Sequence, residues 1–427
     1  MKLNLSIRIK KRTQPEWLCW MIIVLPFVFG TLTDLLNLPA TIKYILDFAW
    51  IVALLMMILA NLRSKAPDSK VRVMNLCIWP VLFVIYAVLL YIPNYQSGFY
   101  LLWGIRNNFR YYVAFAAFSA FLSTEDVDDY FKFFDKLFWL NAIVTLIQCF
   151  AMGLYGDRLG GIFGVSPGCN GYTNIFMLIV LTRAAVLYLE GKETLQNCAF
   201  KCLVAVFLAA LAEIKGFFVE VIVVVVVAVA LTNFSWRKIG FIIAGILTIL
   251  IGSSVLVLVF PGSDGFLSIE RILEITGSNK GYTSSGDLNR LTAISMIDDK
   301  FFDEWPLRLF GYGLGNCDVA SYDFLTTPFY VQNSWLHYTW LSTAFMYLET
   351  GWIGLIFFFG FFVLAFMNAR EIEKKCTGIA KSYCRIAKIM AIMCVFIAIY
   401  NSSLRTEAGY MAYFVLAIPN VVSKSVH

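Results

Sequence analysis

From residue 17 onward the chain runs as apolar blocks of about 20 residues separated by short polar breaks. A block of that length spans a bilayer core as an α-helix. The alternating ten-residue segments of a membrane β-barrel are missing. The pattern predicts an all-α, polytopic helical membrane protein with about 12 transmembrane helices. They fall near 17–36, 44–62, 73–92, 108–122, 133–152, 171–189, 198–212, 216–232, 239–259, 350–368, 386–402 and 408–422. Several blocks are short, so the count runs from ten to twelve. The least regular stretch is "ALAEIKGFFVEVIVVVVV", where a tight turn at Lys215 and Gly216 would make two helices of one. "STEDVDDYF" reads as a capped helix start, with acids placed to suit the helix dipole. Residues 260–336, between spans nine and ten, hold too few apolar residues for a core of their own. They are expected to fold as short helices and turns over the membrane domain. With no internal repeat or low-complexity stretch, 1–427 reads as a single transmembrane domain.

Composition agrees with the pattern. Hydrophobic residues make up 60% of the chain and charged residues 15%, against about 45–50% and 25% in soluble domains. Net charge is +6, but where the basic residues fall says more. They concentrate in "MKLNLSIRIKKRTQPEW" (Lys2, Arg8, Lys10, Lys11, Arg12), at Arg63, Lys65, Lys70 and Arg72, and in "NAREIEKKCTGIAKSYCRIAK". That distribution predicts both termini on the cytoplasmic side. The basic start resembles a signal peptide but lacks a small-residue cleavage pattern, so it reads as an uncleaved first helix. The ten cysteines form no CxxC pair and no Cys/His zinc spacing, and neither a metal site nor a cofactor is expected. Cys169 and Cys317 fall in predicted outer loops, where an oxidising exterior would let them pair. Asp298, Asp299, Asp303 and Glu304 read as a solvated helix face before a cation site, and "GYGLGN" as a tight turn without P-loop spacing. Nothing points to a nucleic-acid partner.

On this topology Arg106, Arg110, Arg158, Lys215, Arg290 and Arg405 all face outward, together with His337, the one internal histidine. Charges near membrane depth are costly and mark function. Arginine suits bidentate contact with phosphate, and lysine supplies a point charge. A histidine beside them can accept a proton near neutral pH. Together they suit attack of a sugar hydroxyl on a sugar carbon whose leaving group is a lipid diphosphate. Each residue also has a plainer explanation. Arg106 and Arg110 can snorkel to the surface. Arg158 and Arg290 can be solvated. Lys215 can pair with Glu213 or Glu220, and Arg405 with Glu407. His337, among Trp335, Tyr338 and Trp340, can belong to an interfacial aromatic belt.

"FGYGLGN", "NSWLHYTWL" and "YLETGWIGLIFFF" in that order resemble the signature of bacterial O-antigen polymerases and O-antigen ligases. There a Gly-rich turn ends the long outer loop, a polar segment with His or Asn follows, and E-x-G-x-x-G-L opens the next helix. "GDLNRL" resembles the family's loop arginine and "LAEIKGFFVE" its intramembrane basic motif; the likeness covers about 205 to 365. It implies a GT-C-like, metal-independent glycosyltransferase in the bacterial plasma membrane, without a cofactor, acting on undecaprenyl-diphosphate-linked oligosaccharide at the outer face. Carried over, Lys215 and Arg290 would hold the donor diphosphate and His337 would activate or orient the acceptor hydroxyl. Arg158 resembles an arginine that precedes a glycine before the sixth span. Lys215 stands where ligases usually carry Arg, which favours a polymerase. A polymerase needs a second lipid-linked site, for which Arg106, Arg110 and Arg405 are candidates. A chain-length regulator and a flippase are further candidate partners, and an O-antigen ligase or a lipid-glycan transporter are the alternative functions.

Overall fold

A computed structural model describes residues 12–63, 70–232, 235–261, 282 and 286–425. Lys2, Arg8, Lys10, Lys11, Lys65, most of 262–285 and His427 lie outside the described residues. In chain order the helices are α1 (Gln14–Leu35), α2 (Ile45–Arg63), α3 (Lys70–Tyr91), α4 (Gly98–Phe121), α5 (Thr124–Phe150), α6 (Asn170–Leu189), α7 (Leu195–Leu211), α8 (Lys215–Leu231) and α9 (Trp236–Val259). Three short ones follow, α10 (Ala293–Phe301), α11 (Trp305–Phe310) and α12 (Pro328–Asn333), and then α13 (Ser342–Glu373), α14 (Gly378–Tyr400) and α15 (Gly409–Ser423). No β-strand occurs among the described residues. Each predicted apolar block coincides with a long helix. Seven of these, α1, α2, α5, α6, α9, α13 and α14, are long and apolar enough to cross a membrane. This is an all-α protein with the helices of a membrane protein.

The helix starts carry their signals. Ser123 accepts from Asp126 N at 3.3 Å, while the Asp126 carboxylate takes Ser123 N at 2.9 Å. That reciprocal cap is the one "STEDVDDYF" predicts. Thr327 caps α12, with Pro328 in its first turn. Two starts differ from expectation. α4 begins at Gly98 rather than near 108, because the polar side chains of "RNN" find partners instead of breaking the helix. Asn108 donates to Gly104 O at 2.9 Å and Asn107 to Asp318 at 2.7 Å. α13 begins at Ser342 rather than 350, so Glu349 and Gly351 lie within it, where the motif led us to expect a helix opening.

Burial orders the bundle. The apolar windows of α6 and α14 are 89% and 78% buried, those of α2 and α9 only 17% and 22%. α6 and α14, with the almost wholly buried α15, therefore form the centre. α2 and α9 expose apolar faces of Phe48, Leu55, Ile243 and Leu250. A contiguous apolar face of that extent suits lipid.

Functional candidates from distant segments gather near the C-terminus of α14, where Arg290 meets Tyr400 and Arg110 meets the Arg405 carbonyl. At the other end the cations sit among acids. Arg183 and Lys201 reach Asp135 at 2.5 and 3.0 Å, Arg385 reaches Glu190 and Glu373 at 2.8 and 2.7 Å, and Lys388 reaches Glu373 at 2.5 Å.

Two loops at the candidate end dip into the bundle. The first follows α5. Asp34 takes the N–H groups of Val165 and Ser166 at 2.6 and 3.0 Å, Asn141 takes Ile162 N at 3.0 Å, and Gln148 takes Gly161 N at 2.7 Å. The second is the Gly-rich turn, which packs against a break in α13. Gly351 has φ 59° and ψ −163°, and a Cβ there would lie 2.3 Å from the Leu309 carbonyl, so only glycine fits. The three carbonyls before the break accept from outside the helix. Leu348 O takes Tyr312 N at 2.8 Å, Glu349 O takes Gly313 N at 2.9 Å, and Thr350 O takes the Tyr86 hydroxyl at 2.8 Å. The expected tight turn is thus also the brace of a broken helix.

Candidate functional site

The C-terminus of α14 is the centre of this end. α7 stops at Leu211, and Ala212–Ile214 turn the chain before Lys215 opens α8. The turn falls two residues before the predicted Lys215–Gly216, with Glu213 in the left-handed region at φ 53°. Glu213 holds Lys215 Nζ at 3.0 Å, and the lysine stays more than a third exposed. The next residue, Gly216, packs so closely on Tyr400 that a Cβ would lie 2.4 Å from its ring.

Arg290 reaches the same tyrosine from the long loop. Its guanidinium carbon lies 4.7 Å from the Tyr400 ring centroid, and Nε donates to Tyr400 O at 2.9 Å. The side chain is exposed, and Nη1 and Nη2 make no hydrogen bond among the described residues. Arg158, at the end of the 3-10 turn Gly156–Arg158, is also exposed and makes no ion pair among the described residues. That turn adjoins the Glu213–Lys215 pair: a Cβ on Gly156 would be 3.4 Å from Glu213 Oε2. Asp157 is tied to the start of α6 by Asn170 Nδ2 at 2.9 Å. The fold thus sets the Gly156–Arg158 turn and Lys215 beside Glu213, and brings Gly216 and Arg290 to Tyr400.

His337 joins through Arg290's own segment. It sits between the 3-10 turns Ser334–Leu336 and Tyr338–Trp340 at φ 50°. Leu288 N donates to Leu336 O at 3.2 Å, binding "GDLNRL" to "NSWLH". The imidazole stacks on Trp340, with centroids 3.9 Å apart and planes at 12°. Its Nδ1 lies 2.5 Å from Asp287 Oδ1.

Arg106, Arg110 and Arg405 form a second group, Arg110 buried and the other two half-buried. Arg106 gives Asp47 Oδ2 two hydrogen bonds, at 3.0 and 2.7 Å. Arg110, 3% exposed, reaches Glu407 at 3.5 Å and Arg405 O at 3.3 Å, and Glu407 also takes the Tyr172 hydroxyl. Burial would raise the Glu407 carboxyl, but the charges of Arg110 and Lys43 and the Tyr172 hydrogen bond together outweigh it and hold the group at about 2. Arg405 lies over the Phe345 ring at 3.3 Å, donates to Asn108 at 3.3 Å and has Asp318 at 3.8 Å. Burial lowers its pKa, against the pull of Asp318 and Glu349. Glu407 therefore serves Arg110, and not its near neighbour Arg405 as sequence proximity suggested. Residues 401–408 join the two groups, from Tyr400 at one end to Glu407 at the other.

The acids of this end were the residues missed. Asp287 was visible only as part of "GDLNRL", and Asp47 and Asp318 gave no signal. Glu349 was visible as a motif residue. It is fully buried and takes Cys317 N at 3.1 Å. Glu220 does not pair with Lys215. It is buried, with Asn174 Nδ2 at 3.0 Å from Oε1, while its Oε2 and Asn174 Oδ1 have no partner. Cys169 and Cys317 are both free and buried, the first against Gly160 and Gly164, the second under Tyr338. Asp298 accepts from the Tyr347 hydroxyl. Among the described residues no cluster of three His, Cys, Asp or Glu is placed to hold a metal.

Chemically, the exposed group offers guanidinium and ammonium donors to a polyanion, with an imidazole nearby. No protein-family model matches the chain, and no curated protein matches it.

Proposed function

We propose that the chain is a polysaccharide polymerase of the O-antigen polymerase kind, a GT-C-like glycosyltransferase of the bacterial plasma membrane. In this reading all twelve long helices cross the bilayer, both termini are cytoplasmic, and the Arg290 end faces outward. The ion-paired end, rich in Lys and Arg, then lies inside. The substrate is an undecaprenyl-diphosphate-linked oligosaccharide repeat, and the product is O-antigen, capsule or exopolysaccharide. The observation that supports the reading is the meeting of Arg290 and of Gly216, the neighbour of Lys215, at Tyr400, with Arg158 and His337 on adjoining segments.

The chemistry follows from charge. Arg158, Lys215 and Arg290 hold the donor's diphosphate. His337 takes the proton of the acceptor's terminal sugar hydroxyl, and that oxygen bonds to the donor's anomeric carbon. The bond from this carbon to the diphosphate oxygen breaks, and undecaprenyl diphosphate leaves with its charge held by the three cations. Arg106, Arg110 and Arg405 already have carboxylate partners, so they wall the acceptor side rather than grip phosphate alone.

Deleting the gene tests the reading. Surface polysaccharide is expected to collapse to a single repeat unit. Full-length chains stranded on undecaprenyl diphosphate would mark a ligase, and repeat units held on the inner leaflet would mark a transporter; either overturns the polymerase.

A further inference from the structure

We infer that Asp287 is the positioning residue of His337: it holds the Nδ1 proton, so that the ring turns Nε2 outward as the proton acceptor. The inference deepens the proposed reaction and rests on the reading of His337 as its base. Three observations carry it. Asp287 Oδ1 lies 2.5 Å from Nδ1, a distance at which one of the two atoms must bear hydrogen. An ionised carboxylate only accepts, so the hydrogen belongs to the ring. Second, the ring is not free to turn away. It lies flat on Trp340 at 3.9 Å, and its backbone is held at φ 50° between two 3-10 turns. Third, the acid and the histidine are 50 residues apart but tied locally, since Leu288 N donates to Leu336 O, each the immediate neighbour of one member of the pair.

A neutral imidazole carries one proton on either nitrogen, and the hydrogen bond made by one nitrogen decides what the other can do. With Nδ1–H given to Asp287, the Nε2 lone pair is the remaining acceptor. During transfer the acceptor hydroxyl's proton moves to Nε2, the ring becomes a cation, and the Asp287 carboxylate stabilises it without itself being protonated. The same geometry on an exposed surface would be an ordinary ion pair worth little; the two differ in the tautomer of the neutral ring.

Nitrogen-15 spectra of histidine-labelled full-length protein in detergent or nanodiscs read that tautomer directly. The chain has two histidines, and His427→Gln leaves the signal of His337 alone. In the neutral ring the proton is expected on Nδ1, and in Asp287→Ala it is expected to move to Nε2. Chain-lengthening turnover in Asp287→Ala is expected to fall about 10²–10⁴-fold with little change in acceptor KM. A wild-type ring protonated on Nε2 overturns the inference without any variant, as does a tautomer unmoved in Asp287→Ala. A moved tautomer with wild-type turnover also overturns it. If the spectra come out as expected but the wild-type protein transfers no lipid-linked glycan, the glycosyl-transfer reading fails while the Asp287–His337 pair stands.

Discussion

Two sets of cations occupy the same end of the bundle, and they differ in what neutralises them. Arg110 is buried, Arg106 and Arg405 are half-buried, and the three face Glu407, Asp47 and Asp318. Arg158 and Arg290 are exposed, and Arg290 spends one hydrogen bond on a backbone carbonyl and its charge on an aromatic face. Lys215 has an acid partner, Glu213, but both side chains remain more than a third exposed, where an ion pair is worth little. A buried guanidinium with its carboxylate is part of the framework, and removing either partner strands the other. An exposed cation costs the fold little to remove and is free to meet an anion. Position alone cannot tell the sets apart; their counter-charges do.

The largest expected effect is on the framework side. Arg110→Ala leaves Glu407 buried without its cation and is expected to cost about 3–5 kcal/mol, read as thermal unfolding in detergent. A variant as stable as the parent would erase the distinction between the two sets. On the other side, Lys215→Ala and Arg290→Ala are expected to fold normally and lose about 10²–10³ in chain-lengthening rate, or roughly 2–4 kcal/mol of transition-state stabilisation. Unchanged polymer length in both would remove the exposed cations from the site. His337→Ala is expected to lower turnover while donor-lipid binding persists, measured on the same membranes.

Acid sharpens the comparison further. Glu407 is held at about 2 against an ordinary 4.5. A carboxylate with a depressed native pKa stabilises fully above its unfolded value and loses that contribution as pH falls through the native one. Stability is therefore expected to drop between pH 4.5 and 2 in the parent, and Glu407→Gln is expected to flatten that limb of the melting curve. The smallest effect belongs to Glu220→Gln. A glutamine would offer Asn174 Oδ1 the donor it lacks, so a gain under about 1 kcal/mol is expected, with polymer length unchanged. Lost polymer would extend the site down α8.

How much of this was legible in the chain depends on sequence distance. Hydrophobic blocks are local, and each predicted one coincides with a helix. The Ser123 cap is local too. The α4 start was misplaced because "RNN" looks like a break until Asp318, 211 residues from Asn107, is in place. Arg110 and Glu407 stand 297 residues apart, and Asp287 and His337 stand 50 apart. No periodicity links such partners. Arg405 and Glu407 show the reverse error: they are near in sequence, yet the loop turns Glu407 toward Arg110 and Tyr172. The cations could be picked out because charge is rare in an apolar chain, while their acids, scattered through loops and helix ends, carried no such contrast.

The break at Gly351 has a consequence for the order of synthesis. Bare carbonyls within the hydrocarbon layer are expensive, and if α13 crosses the bilayer as proposed, it would present three of them on inserting alone. Tyr86, Tyr312 and Gly313, which meet them, all precede Leu348 in the chain. Since a nascent polypeptide emerges N-terminus first, every donor has been translated before the ribosome reaches the residues that need it.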